Sequence, residues 1–168
     1  MLRFTTESIV WQEVPGEVSL AFLVSGCPLR CPGCHSAESW RSQLGTPLTP
    51  EYLGARLAQY RGLISCVLFM GGEWQADVLL ARLQQVRAAG LATCLYTGLE
   101  QNALPPQLLP HLDYLKTGRW IAARGGLDSP DTNQRLIDLR SGEILNHFFL
   151  QSVTGAMPYD ASHRCATR

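Results

Sequence analysis

The chain has 168 residues with fourteen basic and fourteen acidic side chains, so neither a basic nucleic-acid surface nor an acidic tail is present. That length suits one domain with a full hydrophobic core. The N-terminal residues lack the apolar stretch of a signal peptide, and the longest apolar run near them, residues 20–24, is too short to span a bilayer. The expectation is therefore a cytoplasmic protein with no nucleic-acid and no membrane partner.

In chain order, residues 18–24 read as a buried strand that runs straight into Gly26-Cys27-Pro28-Leu29-Arg30-Cys31-Pro32-Gly33-Cys34-His35. Thr49-Pro50-Glu51 supplies an N-cap, a proline at the first helical position and an acid in the first turn. The helix that follows carries Leu53 and Leu57 on one face and stops near Gly62. Cys66 to Met70 form a second strand closed by Gly71-Gly72. A second helix over 75–89 sets Leu79, Leu80, Leu83 and Val86 at helical spacing, with Gly90 as its C′ residue. Residues 91–96 form a third strand ending in Thr97-Gly98. Proline-broken sequence with one short helix leads to a fourth, 112–116, ending in Thr117-Gly118. Arg140-Ser141-Gly142-Glu143 reads as a turn between two strands.

Continuous apolar strands alternating with helices predict an α/β fold with a parallel sheet and helices on its outside. A complete eight-unit barrel needs roughly 250 residues. The expected architecture is an open, partial βα barrel of four or five units over residues 1–150, followed by a polar tail at 151–168.

Spacings of three and two residues let Cys27, Cys31 and Cys34 converge on one soft centre. Thiolate-only ligation suits an iron–sulfur cluster or zinc rather than a hard cation. A cubane cluster held by three thiolates leaves one iron open to a substrate. Zinc needs a fourth partner, and His35, adjacent to Cys34, is badly set to complete a tetrahedron. Cys66 and Cys94 read as buried strand thiols, and Cys165 belongs to the polar tail. Without an export signal, a disulfide framework does not fit.

The cysteine loop, Gly71-Gly72-Glu73, Thr97-Gly98 and Lys116-Thr117-Gly118 all follow C-terminal strand ends, the edge where parallel α/β folds build sites. Glu73 could accept hydrogen bonds from an ammonium group, or simply start a helix after a tight turn. Lys116 is the only lysine beside thirteen arginines. A compact point charge at that edge could meet a carboxylate, or be an ordinary strand-terminal charge. Arg119 and Trp120 are candidates for the mouth of the site. His111, His147 and His163 carry no readable signal.

Cys27, Cys31 and Cys34 followed one βα unit later by Gly71-Gly72-Glu73 resemble the radical S-adenosylmethionine superfamily. Within it, Pro32-Gly33-Cys34, Trp40, Leu95-Tyr96-Thr97-Gly98 and Asn133-Gln134-Arg135 before Ile137-Asp138-Leu139 are similar to the activating proteins of anaerobic ribonucleoside-triphosphate reductase. The resemblance implies a [4Fe-4S] cluster on the three cysteines, the site at which S-adenosyl-L-methionine is cleaved to a 5′-deoxyadenosyl radical. That radical would take a hydrogen atom from a glycine of the reductase. Gly71, Gly72 and Glu73 would position the cofactor, with Thr97, Gly98 and Lys116 in the same pocket and 133–135 nearby. The electron would come from a flavodoxin- or ferredoxin-type carrier, since no second cysteine cluster exists. Gly33, His35 and Trp74 depart from the superfamily's usual residues at their positions, and some activators carry aspartate where this chain has Glu73. Two rivals remain: a small-molecule enzyme resembling 7-carboxy-7-deazaguanine synthase, and a non-enzymatic iron–sulfur or zinc protein.

Overall fold

A computed structural model describes residues 1–150; the expected tail with Cys165 and His163 lies outside the described residues. The strands are β1 (Arg3–Val10), β2 (Ser19–Val24), β3 (Thr46–Pro47), β4 (Cys66–Met70), β5 (Ala92–Tyr96), β6 (Tyr114–Thr117), β7 (Arg135–Asp138) and β8 (Glu143–Ile144). They form one eight-stranded sheet in the order β3-β1-β2-β4-β5-β6-β7-β8. The helices are α1 (Pro50–Gln59), α2 (Ala76–Ala88) and the single turn α3 (His147–Leu150).

Only the centre of the sheet matches the expected parallel arrangement. β2, β4, β5 and β6 run parallel, while β1, β3, β7 and β8 add antiparallel flanks. The sheet is mixed because β1 joins β2 through a short loop, and β7 and β8 form the hairpin expected around Arg140–Glu143. The expected count of βα units also falls. α1 and α2 are the full-length helices of the described residues, and the β5–β6 link runs through 3₁₀ turns at Gln101–Ala103 and Leu109–His111. Prolines at 105, 106 and 110 prevent a longer helix there.

α1 starts as expected: the Thr49 hydroxyl accepts the Tyr52 N–H at 3.1 Å and Pro50 takes the first position. α2 ends at Ala88, and Gly90 adopts a φ of +76° beyond it. Leu53 and Leu57 of α1 and Leu79, Leu83 and Val86 of α2 bury against Leu20, Phe22, Val67, Phe69, Leu95 and Leu115 of the sheet. Phe22 and Phe69 stack at 6.1 Å, and Phe4 meets Phe22 edge-on at 5.1 Å. Both long helices therefore cover one face. The other face carries Ala21, Cys66, Leu68, Cys94, Tyr114 and Leu136, covered by Val14, Leu127 and Leu145 from loops and the β8 end.

Polar ties fasten the flanks. Glu7 of β1 accepts from Tyr52 OH at 2.6 Å and Arg56 Nε at 2.6 Å, joining the antiparallel edge to α1. Arg56 is partly exposed, so this pair contributes no more than about 1 kcal/mol. On the other face Tyr96 OH donates to the Glu13 carbonyl, which holds the β1–β2 loop down. No helix of the described residues is long and apolar enough to cross a membrane.

Burial pushes the Cys66 thiol up to about 12, and Cys94, fully buried on the next strand, well above its ordinary value. In metal-free protein at pH 8, iodoacetamide should modify the half-buried Cys27 and Cys34 at least about a hundredfold faster than Cys66 and Cys94. Timed alkylation with peptide mapping checks this; equal labelling of Cys66 would mean that the second core opens.

Candidate metal and cofactor site

Four parallel strands end level with one another: Leu23, Met70, Tyr96 and Lys116 pair across them in one row. The chain leaves β2 at Val24 and enters the cysteine loop. Ser25 N–H donates to the Arg3 carbonyl at 2.8 Å, Gly26 N–H to Ser39 at 2.6 Å and Cys34 N–H to Cys31 at 3.1 Å. Arg30, with a φ of +44°, is the one non-glycine residue in the left-handed region among the described residues. The Arg119 guanidinium donates to the Leu29 carbonyl at 2.6 Å, clamping the loop to the segment after β6.

Cys27, Cys31 and Cys34 line a cavity of about 210 Å³ together with Gly71, Glu73, Thr97, Gly98 and Lys116. The structure thus gathers every residue expected to hold the cluster or to contact the cofactor except Gly72. Gly72 faces the core, where an added Cβ would lie 3.5 Å from Leu2, 3.6 Å from Val24 and 3.7 Å from Leu79. Its φ of +112° and the +90° of Gly71 turn the backbone so that Glu73 points inward. A Cβ on Gly71 would come within 2.5 Å of the Trp74 ring.

Among the described residues, no group of three or more His, Cys, Asp or Glu side chains is drawn together to hold a single metal ion. The three thiols line one cavity without a fourth cysteine or histidine in its wall. That donor set fits a multi-iron cluster with one open iron better than tetrahedral zinc, whose structural sites are closed by four ligands.

Glu73 is 5% exposed. Its Oε1 accepts from the Thr97 hydroxyl at 2.7 Å, while Oε2 is buried with no partner. Burial raises its pKa, against the lowering effect of the Thr97 bond. Thr97 Oγ1 also accepts the Leu99 N–H at 3.0 Å, which fixes the hydroxyl proton toward Glu73. Burial pushes Lys116 down to about 8, with Cys31 and Cys34 acting the other way. Its ammonium lies 5.6 Å from the centre of the Tyr96 ring. The cavity therefore holds one orphaned carboxylate oxygen and one poorly solvated cation. A zwitterionic ligand satisfies both.

A larger cavity of about 680 Å³ adjoins the first and shares Cys34, Ser36, Tyr96, Lys116, Trp120 and Gln134 with it. Trp120 packs on His35, with ring centres 4.5 Å apart. Asn133 Nδ2 donates to the Arg119 carbonyl at 2.9 Å, and Gln134 Nε2 to the Gly118 carbonyl at 3.3 Å. Of the expected 133–135 group, Gln134 reaches the cavity, Asn133 supports the clamp and Arg135 is exposed on β7. Trp40 does not line the cavity. Glu13 and Asp128 line the larger cavity from loops that carry no motif, and no feature of the sequence singled them out.

The loop after β2 brings three thiols to a cavity that also holds a buried acid, a donor set that suits an iron–sulfur cluster. The family model described as a 4Fe-4S single cluster domain matches residues 14–136, and the chain belongs to that family. The chain is 29% identical over 113 residues to a pyruvate formate-lyase-activating enzyme of Clostridium pasteurianum, covering 64% of this chain and 47% of that protein. It is 33% identical over 93 residues to a 7-carboxy-7-deazaguanine synthase of Hyperthermus butylicus, covering 54% of this chain and 37% of that protein. The matches thus span less than half the length of these curated relatives. The cofactors are a [4Fe-4S] cluster and S-adenosylmethionine.

A carboxyl with a raised folded pKa contributes stability below its ordinary value near 4.5 and loses it as pH rises through the folded value. Ligand-free protein should therefore lose stability from about pH 4.5 upward through this group, and Glu73→Gln should flatten that slope. Urea unfolding of both proteins at pH 5 and pH 7 checks it. Equal slopes would place the Glu73 carboxyl in contact with water.

Proposed function

We propose that this chain is a radical S-adenosylmethionine activase that generates a glycyl radical on anaerobic ribonucleoside-triphosphate reductase. The observation that carries the reading is the pairing of three thiols with an orphaned buried carboxylate oxygen and a half-buried lysine in one cavity, open to a larger one. In this reading Cys27, Cys31 and Cys34 hold the cluster. Glu73, steadied by Thr97, accepts hydrogen bonds from the methionine ammonium, and Lys116 meets the methionine carboxylate. Gly71, Gly72 and Gly98 keep the backbone close enough for that approach.

When bound, the cluster and cofactor supply reductive cleavage of the sulfonium and a 5′-deoxyadenosyl radical. The chain's own part is to orient and to exclude water. Met70 and Leu23 form an apolar wall of the small cavity, and Trp120, packed on His35, lines it where it adjoins the larger cavity. We read the sheet as the wall of an open, partial βα barrel, with the two long helices outside. The larger cavity, unclosed by any further βα unit among the described residues, suits a loop of a protein substrate. The electron donor would be a separate flavodoxin- or ferredoxin-type protein, since the chain has no second cysteine cluster.

The relative that is a pyruvate formate-lyase-activating enzyme supports the activase class and, with it, a glycyl radical enzyme as partner. The other relative favours a second reading, a radical enzyme acting on a small molecule in the manner of 7-carboxy-7-deazaguanine synthase.

Anaerobically reconstituted protein, S-adenosylmethionine, a strong reductant and the reductase should give 5′-deoxyadenosine and a glycyl doublet in the electron paramagnetic resonance spectrum of the reductase. Cys31→Ala should abolish both. Deoxyadenosine without a protein radical would favour the small-molecule reading, and no cleavage at full iron loading would overturn both.

A further inference from the structure

Two indole N–H groups in the small cavity have no acceptor: Nε1 of Trp74 and Nε1 of Trp120 are both buried and unpaired. Buried donors in folded proteins are nearly always partnered, and an indole N–H can only donate. The two sites repeat one geometry. Gly26 precedes Cys27, holds a φ of +98°, and a Cβ added there would lie 3.2 Å from Trp74 Nε1. Gly33 precedes Cys34, holds a φ of +69°, and a Cβ there would lie 3.7 Å from Trp120 Nε1. Each indole nitrogen thus lies against a glycine that the chain follows directly with a cysteine, and both rings and the cysteines line the same cavity. Both rings are held in place. Trp74 lies against Gly71, and Trp120 packs on His35.

We propose that Trp74 and Trp120 donate hydrogen bonds to sulfur of the bound cluster and its thiolate ligands, on the Cys27 and Cys34 sides respectively, and thereby raise its reduction potential. Reduction adds negative charge that is shared by the sulfurs. A donor aimed at sulfur therefore stabilises the reduced form more than the oxidised one. The tryptophans are positioning residues for an electron, and the inference rests on the cluster alone, whatever the partner protein proves to be.

The test uses the reconstituted holoprotein without S-adenosylmethionine and without reductase. Trp74→Phe and Trp120→Phe each keep an aromatic ring and remove one N–H. Redox titration followed by electron paramagnetic resonance should show, at a fixed potential, about a three- to tenfold lower ratio of reduced to oxidised cluster in each, where tenfold is 59 mV for one electron. Unchanged midpoints in both variants at equal iron content would overturn the proposal. A variant that fails to assemble its cluster leaves a second measurement decisive. Electron–nuclear double resonance of the reduced wild-type protein, carrying indole-¹⁵N tryptophan, should reveal weak couplings from two nitrogens. Their absence would overturn the proposal, since no other tryptophan lines the cavity.

Discussion

Leu23, Met70, Tyr96 and Lys116 stand side by side across four parallel strands, and the segments that carry the thiols, Glu73 and Thr97 leave the sheet just beyond that row. The alignment is enforced from both faces. Phe22, Phe69, Leu95 and Leu115 pack under the helices, while Ala21, Leu68, Cys94 and Tyr114 face the loops. Because side chains alternate along a strand, a slip of one residue in β6 would exchange these sets and drive Lys116 beneath α2. Burying an unpaired ammonium among leucines costs far more than the slipped packing could return. The hydrophobic pattern of the core therefore decides where the thiols, the acid and the lysine meet.

The cavity works against the stability of the ligand-free fold. Lys116, displaced from 10.5 to about 8, costs about 3 kcal/mol when charged below pH 8. That is comparable to the loss of one buried core leucine, about 2–5 kcal/mol. Glu73 adds a penalty of the same kind, relieved only in part by Thr97. Opposite charges that form no ion pair stabilise each other little, and a ligand that carries both complementary groups stabilises them much more. This is the usual relation of binding sites to the folds that carry them: the strain is local and the scaffold bears it.

The site was legible in the sequence to the extent that it is local. Cys27, Cys31 and Cys34 share one loop, Gly71 to Glu73 share one turn, and each follows an apolar strand whose end can be read directly. α1 was legible through Thr49 and Pro50, and α2 through Gly90 and its leucine spacing. What stayed hidden depends on distant partners. β1 sets Phe4 and Ile9 at either end of the polar run Thr5-Thr6-Glu7-Ser8, with no strand-like alternation, and its pairing with β2 and β3 makes it a strand. The pairing of β1 with β3 and of β7 with β6 was missed for the same reason, whereas the β7–β8 hairpin was legible in Arg140–Glu143. Arg119 clamps a carbonyl ninety positions earlier, a contact that no spacing rule could reveal. Gly72 was expected in the cofactor site with Gly71 and Glu73; it stands in the same turn but does not line the cavity, and its open side faces Leu2, Val24 and Leu79.

The two unbalanced charges have a consequence for the lifetime of the chain. A ligand that binds only the folded form at a hundred times its Kd stabilises that form by about 2.7 kcal/mol. The unfolded fraction then falls about a hundredfold, and with it the rate at which proteases that attack unfolded chain can destroy the molecule. By the same arithmetic, a chain whose cavity is empty spends more time unfolded than a filled one and is the easier target for such proteases.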